Sequence, residues 1–335
     1  MNILVTGGAG SIGSNFIRLL INESDYNIIN LDKLTYAGNL ENLKDIEKNP
    51  RYKFIKGDIA DKELIPNIIK DEKISIIVNF AAETHVDRSI KNADDFISSN
   101  IAGVHNILES IRINPEVKLV HISTDEVYGS IDYGSFEENS KLNPKNPYSA
   151  SKASAEFFVN SYINTHKIPA VITRSSNNFG PYFNPEKLIP LMITNALEDK
   201  ELPVYGDGNQ IRDWLYVEDN CRAIKLIMEK GKQGEVYNIS AKNEIKNINI
   251  VKSILKILNK PESLIKFVKD RPGHDKRYSI ANEKIKSLGW KPKHSFDEAL
   301  KLTVRWYFNN KEWVSNAKSG EYIKYYQEQY KGWKE

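Results

Sequence analysis

The ten residues VTGGAGSIGS, 5–14, constrain this chain more than any others. They place Gly7, Gly8, Gly10 and Gly13 between an apolar run at 2–6 and a helix-period segment at 12–21. Both Gly8-x-Gly10-x-x-Gly13 and Gly7-x-x-Gly10-x-x-Gly13 fit, and the chemistry is the same in either register. Glycines let the backbone turn tightly against a pyrophosphate, whose negative charge sits on the free N–H groups of the helix N-terminus. Asp32 ends the second apolar run nineteen residues after Gly13 (32 − 13). A carboxylate there accepts hydrogen bonds from an adenosine ribose and repels a 2′-phosphate, so the pattern predicts NAD rather than NADP. Lys33 beside it weakens that preference slightly, and Asp58 in IKGDI is placed to meet the adenine.

The first half of the chain continues in the same idiom. Short runs rich in Val, Ile and Leu at 2–6, 27–31, 52–55, 74–80, 117–123 and 170–173 alternate with helical patterns, among them 93–111 and 148–166. Continuous apolar strands separated by helices predict a parallel sheet covered on both faces, a Rossmann-type doubly wound α/β fold. After residue 178 the texture changes. NNFGPYFNPEK is rich in turn formers, and VYGDGNQIRDWLYV predicts a strand, a Gly-Asp-Gly turn and a second strand. Helical patterns follow at 218–229, 248–258 and 296–307, with a loop at 270–276. The expected division is a cofactor domain at 1–178, to which later segments return, and a smaller, interleaved α/β substrate-binding lobe at 179–335.

Composition removes several function classes. A chain of 335 residues exceeds one ordinary core. A net charge of +3 is too mild to argue for nucleic acid. One cysteine, Cys221, excludes an internal disulfide and a cysteine-based metal site, and its helical context suits a small buried residue. No metal site is expected. There is no apolar run of 18 residues to span a membrane. Met1 leads directly into NILVTGG without a basic segment or a long apolar stretch, so a cytoplasmic protein is expected.

Two motifs carry chemistry. HISTDEVYG ends a predicted buried strand in Ser123, Thr124, Asp125 and Glu126, and adjacent carboxylates in an enclosed place repel. PYSASKASAEF places Tyr148 and Lys152 four residues apart on one helix face. A free tyrosine titrates near pH 10, and a neighbouring ammonium together with a positive nicotinamide is expected to lower it. The hydroxyls of Ser123 and Thr124 are placed to polarise a substrate oxygen.

TGGAGSIGS, YSASK and NFAAETHVDRS resemble the extended short-chain dehydrogenase/reductases. DKLTYAGNL, STDEVYG, RSSNNFGPY, PEKLIPL, YGDGNQIRDWLYVEDN and DRPGHDKRY resemble the dTDP-glucose 4,6-dehydratases among them, and the resemblance runs from residue 2 to about 330. It implies a lyase that holds NAD, takes dTDP-glucose as substrate and works as a homodimer, with no nucleic acid or membrane partner. It also implies that Tyr148, assisted by Thr124 and Lys152, takes the proton of the 4-hydroxyl, that Glu126 removes the C5 hydrogen, and that protonated Asp125 releases the 6-hydroxyl. Two adjacent carboxyls in a closed site push their pKa values apart, as an acid and a base require.

By the same resemblance Gly7, Gly10, Ser11, Ile12, Gly13, Asp32, Lys33, Leu34, Thr35, Asp58, Ile59, Ala81, Ala82, Ser99, Tyr148, Lys152 and Asn178 hold the cofactor. Thr84, Asn177, Lys187, Leu188, Pro203, Val204, Tyr205, Arg212, Asn238, Asp270, Arg271 and His274 hold the nucleotide sugar, the two arginines suiting a diphosphate. Ser11 stands where relatives carry Phe, Thr84 where they carry Ser, Ser99 where they carry Thr and Phe179 where they carry Tyr. An epimerase of the same superfamily needs no elimination and resembles the STDEVYG stretch without its acids. A catalytically silent NAD-binding relative is expected to lack Tyr148 or Lys152.

Overall fold

The computed structural model describes residues 1–270, 274–319 and Tyr326. Its strands are β1 (Asn2–Thr6), β2 (Asn27–Asp32), β3 (Tyr52–Lys56), β4 (Ile74–Asn79), β5 (Lys118–Thr124), β6 (Ala170–Ser175), β7 (Asn177–Phe179), β8 (Leu202–Tyr205), β9 (Ile211–Tyr216), β10 (Val236–Ile239), β11 (Glu244–Lys246) and β12 (Ile265–Val268). Seven of them form one sheet in the order β10-β6-β5-β4-β1-β2-β3. Every pairing in it is parallel.

Pleating sends alternate side chains to opposite faces, and both faces are apolar. Ile3, Val5 and Ile28 pack with Phe16 and Leu20 of the helix Ser11–Glu23 and with Ile224 and Ile227 of Val217–Lys230. On the other face Leu4, Ile29 and Ile77 meet Ile65, Ile107 and Val159 from the helices Leu64–Asp71, Val104–Arg112 and Pro147–His166. Strand order reverses between β1 and β4, and ligands of such sheets bind in the crevice at the strands' carboxyl ends beside that reversal. This is the doubly wound sheet that the apolar runs predict. β10 extends it beyond β6.

Two local expectations are corrected. The predicted helix at 93–111 is interrupted by a π-helical segment, Ile97–Gly103, between Asp94–Phe96 and Val104–Arg112. The wider turn lets the Asn100 amide bond both backbone groups of Glu83, at 2.9 and 3.0 Å, and the Ser151 hydroxyl at 2.8 Å. Those partners come from elsewhere in the fold, so helix periodicity carries no sign of them. The strands either side of Gly-Asp-Gly exist, but they do not pair. β8 pairs with β12, whereas β9 lies between β7 and β11. Gly206 and Gly208 take left-handed φ of 58° and 71°. The Gly208 and Gln210 carbonyls are then taken by Ile248 and Asn247 at the start of the helix Asn247–Leu258, at 3.0 Å each, instead of a facing strand. Around these small sheets a second core gathers Phe179, Met192, Trp214, Ile254, Leu300 and Tyr307.

Candidate active site

The glycine loop resolves its own register. Gly7 has φ of +69°, and a Cβ there would stand 2.6 Å from the Ala81 nitrogen. A Cβ on Gly13 would collide with the Gly7 carbonyl. Gly7, Gly10 and Gly13 line a cleft at the β1–β4 reversal, whereas Gly8 packs inward on Asn30 and Ile17. Gly10 caps the helix Ser11–Glu23 without a side-chain hydrogen bond, and no acid occupies the first turn. The helix therefore offers unpaired N–H groups and its positive end to an anion.

Ser11, Ile12, Asp32, Lys33, Thr35, Asp58, Ile59, Ala81, Ala82, Ser99, Tyr148, Lys152 and Asn178 line the same cleft. Asp32 is buried, which raises its pKa, and its two oxygens accept the backbone N–H groups of Leu34 at 2.8 Å and Ala9 at 2.9 Å. Leu34 itself is not among the lining residues; its left-handed φ of 60° turns the chain back so that Thr35 is. The Lys33 ammonium lies 2.7 Å from Asp58, so its charge is already balanced. The side-chain oxygens of Asn178 and Ser176 are buried without a hydrogen-bond partner among the described residues, and both residues face the cleft. Glycine cradle, helix end and unpaired polar atoms together fit a dinucleotide.

The acids sit deeper in the cleft. β5 ends at Thr124, whose hydroxyl accepts the Glu126 N–H at 3.2 Å and donates to Asp125 at 3.3 Å. That starts a 3-10 turn, Asp125–Tyr128, closed by Gly129 at φ of 80°. Asp125 is 2% exposed, and Glu126 is partly exposed. Burial pushes the Asp125 carboxyl well above the ordinary range, and the charges of Glu126 and Asp213 push it further. Burial and like charge together favour the protonated form of Asp125, and this end of the strand is enclosed.

Tyr148 lies in the first turn of Pro147–His166, set by a capping box between Asn146 and Ser149. Without a nicotinamide charge beside it, the phenol is not lowered. Burial and the Glu126 charge raise the Tyr148 pKa, and a hydrogen bond with Thr124 only partly offsets them. The Lys152 ammonium donates instead to the Ile122 carbonyl at 2.6 Å, and burial lowers its own pKa to about 8. Any lowering of Tyr148 needs the positive charge of a bound nicotinamide as well.

A second cavity opens from the first, and Thr84, Glu126, Asn177, Asn178, Glu186 and Lys187 line both. Leu188, Pro203, Tyr205, Arg212 and His274 line its outer part. Arg212 is 7% exposed. Its guanidinium donates to the Ile211 and Asp275 carbonyls at 2.8 and 2.9 Å and lies 4.2 Å from the Tyr278 ring centroid. Backbone carbonyls hold it without cancelling its charge, which suits a phosphate better than a surface ion pair does.

Three expected substrate residues do not line this cavity. Val204 alternates with Pro203 and Tyr205 along β8, so it faces the second core. Asn238, on β10, is fully buried and bonds to Tyr128 and Phe136. Asp270 instead pairs with His274 at 2.6 Å and accepts from Gln210 at 3.1 Å. Arg271 lies outside the described residues. Sequence reasoning missed Glu186, beside Lys187 in PEKLIPL, and Tyr278, four residues after His274; both line the second cavity. Among the described residues no group of His, Cys, Asp or Glu is arranged to hold a metal ion.

A family profile described as GDP-mannose 4,6 dehydratase matches residues 4–303. The chain is 48% identical to the dTDP-glucose 4,6-dehydratase of Escherichia coli over 96% of this chain and 98% of that one. It superposes with a TM-score of 0.90 on the crystal structure of dTDP-glucose 4,6-dehydratase from Bacillus anthracis in complex with NAD, at 49% identity, covering 95% of this chain and 99% of the other. The dTDP-glucose 4,6-dehydratase of Streptomyces venezuelae, also with NAD bound, gives a TM-score of 0.92 at 44% identity, covering 95% and 100%.

Proposed function

Since the chain belongs to the nucleotide-sugar 4,6-dehydratase family, we propose that its joined cavities take dTDP-glucose to dTDP-4-keto-6-deoxy-glucose, with NAD held at the glycine loop. The observation that carries this reading is the buried Asp125 carboxyl, its pKa raised by burial, beside Glu126, which lines both cavities. An epimerase has no water to eliminate and no use for that pair.

The residue roles follow from chemistry and position. Tyr148 takes the proton of the 4-hydroxyl, with Thr124 in hydrogen-bond contact with the phenol. NAD, when bound, accepts the hydride from C4 and returns it to C6. Oxidation at C4 acidifies the C5 hydrogen, which Glu126 removes, while Asp125 donates its proton to the departing 6-hydroxyl. Hydride return to C6 leaves an enolate that is protonated at C5, and the two protons taken up by Tyr148 and Glu126 supply C5 and restore Asp125. Arg212 binds the diphosphate. We assign residues 1–178 with the returning segment 217–239 to the cofactor, and most of 179–335 to the nucleotide sugar.

Incubation with dTDP-glucose, GDP-mannose and UDP-glucose in parallel tests this by mass spectrometry. Loss of one water from dTDP-glucose is expected, with many turnovers per bound NAD because the hydride that leaves C4 returns to C6. A requirement for fresh NAD at every turnover would remove the reading, and preferential dehydration of GDP-mannose would move the substrate assignment to the sugar nucleotide named in the matched profile.

We also propose a homodimer. Ile97 and Phe157 are 53% and 61% exposed, and Phe158 is 40% exposed, on the two long helices flanking the sheet. His105 and Phe158, 6.1 Å apart, join those helices into one face, and paired copies would form a four-helix bundle. Light scattering is expected to give twice the mass of one chain for the parent and a single-chain mass for Phe157→Glu. A concentration-independent monomer for the parent sinks the proposal. No described helix is long and apolar enough to cross a membrane. The unpaired, buried Cys221 and a water-soluble substrate support a cytoplasmic location.

A further inference from the structure

Behind the catalytic turn lies a buried polar cluster that the dehydration chemistry does not touch. Glu156 continues the helix face of Tyr148 and Lys152 at the same four-residue spacing and has no exposed surface. Its carboxylate accepts Nε and Nη2 of Arg174, from β6, at 3.0 and 2.6 Å. The remaining nitrogen, Nη1, donates to the Tyr128 hydroxyl at 2.6 Å and to the Glu138 carbonyl at 3.0 Å. The Tyr128 hydroxyl donates onward to the Asn238 side-chain oxygen at 2.9 Å. The Asn238 amide ends on the Phe136 carbonyl at 3.2 Å, and the Phe136 ring stacks on Tyr128 at 5.0 Å.

A buried Arg–Glu pair is poor evidence of a stability device, because packed apolar residues often do as well. What the cluster fixes is the spacing between two elements. Tyr128 ends the 3-10 turn that carries Asp125 and Glu126, and Glu156 belongs to the helix that carries Tyr148 and Lys152. We propose that Tyr128 and Arg174 are positioning residues for the elimination step, holding the acid and the base in register with the tyrosine. The inference rests on the dehydratase reading.

The two sides of this brace are held by different bonds. The helix is also fixed by the Asn146 capping box and by the bond from Lys152 to the Ile122 carbonyl. The turn is held by bonds from Glu126 N–H to Thr124, from the Thr124 hydroxyl to Asp125, from Gly129 N–H to the Glu126 carbonyl and from Asn143 N–H to the Val127 carbonyl, and the Tyr128 hydroxyl ties its far end to Arg174 and Asn238. Loosening the Tyr128 end is expected to shift the turn that carries Asp125 and Glu126, while the capping box and the Lys152 bond still hold Tyr148 in place.

Tyr128→Phe removes one oxygen and keeps the stacked ring. Loss of water is expected to slow about 10- to 100-fold, the scale on which small misplacements act. KM and bound NAD should stay near the parent values, and NADH absorbance should build up during turnover because C4 oxidation outpaces elimination. Arg174→Lys, a point charge that cannot serve Glu156 and Tyr128 together, should show the same split. Turnover by the parent checks the dehydratase reading alone, and the variant-to-parent ratio checks this one. Parent-like turnover in Tyr128→Phe overturns the positioning role. So does slowing without NADH accumulation, or a variant that is unfolded or empty of NAD, since the cluster would then serve folding only.

Discussion

Glu126→Gln is expected to slow the loss of water from dTDP-glucose by about 10² to 10⁴, the usual worth of a general base. On the proposed mechanism oxidation at C4 uses Tyr148 and the cofactor, neither of which this change removes. Hydride should therefore move and then wait, and stopped-flow absorbance should show nicotinamide reduction outlasting a normal turnover. Glutamine keeps the size and the backbone N–H that bonds Thr124 at 3.2 Å, so a collapsed turn would not explain the result. Turnover of Glu126→Gln at the parent rate would take C5 deprotonation away from this residue.

Asp125→Asn should cost a similar factor, about 10² to 10⁴, but it should stall the reaction later. With Glu126 as the proposed base, the C5 hydrogen should still exchange, so solvent deuterium should enter the sugar faster than water leaves. The same variant should gain stability, and the sign is fixed by the raised pKa. An unfolded aspartate loses its proton near pH 3.9. Below that value both states keep the proton and the residue is neutral in the balance. As pH rises through it, the unfolded chain ionises first and the folded state loses stability until pH passes the folded pKa. Asparagine never ionises, so it escapes this loss at neutral pH. A melting temperature higher by about 1–3 °C at pH 7, shrinking toward zero near pH 4, is the expected scan. A lower melting point at pH 7 would contradict a buried, protonated Asp125.

Signals whose partners lie close in sequence are legible in it. Gly7 to Gly13 cradle one cleft within a single strand–helix turn, and Asp32 reaches back to the Ala9 N–H from the next strand. Thr124 and Glu126 bond each other across two residues. What escaped reading depends on partners far along the chain. Lys152 and Tyr148 share a helix face, yet the ammonium is captured by Ile122, thirty residues back (152 − 122). Asn238, which the resemblance places at the nucleotide sugar, has its amide bonded to Tyr128 and Phe136, more than one hundred residues upstream. Val204 failed for a simpler reason: strand alternation turns it inward between two lining neighbours. The change of sheet between β8 and β9 required knowing that β12 would arrive beside β8.

The parallel pairing of β10 with β6 sets an order on synthesis. β6 ends at Ser175 and β10 begins at Val236, so sixty-one positions (236 − 175) separate the two strands. A ribosome adding about 5 to 20 residues per second needs about 3 to 12 seconds to cross that interval. Throughout it, the nascent sheet presents the outer edge of β6, a row of backbone N–H and C=O groups that another emerging chain can match. The charged side chain of that strand, Arg174, already has Glu156 available to it, whereas the edge itself must wait for Val236–Ile239. Slow translation or codon pauses between these strands therefore lengthen the period in which the half-made protein is most open to aggregation.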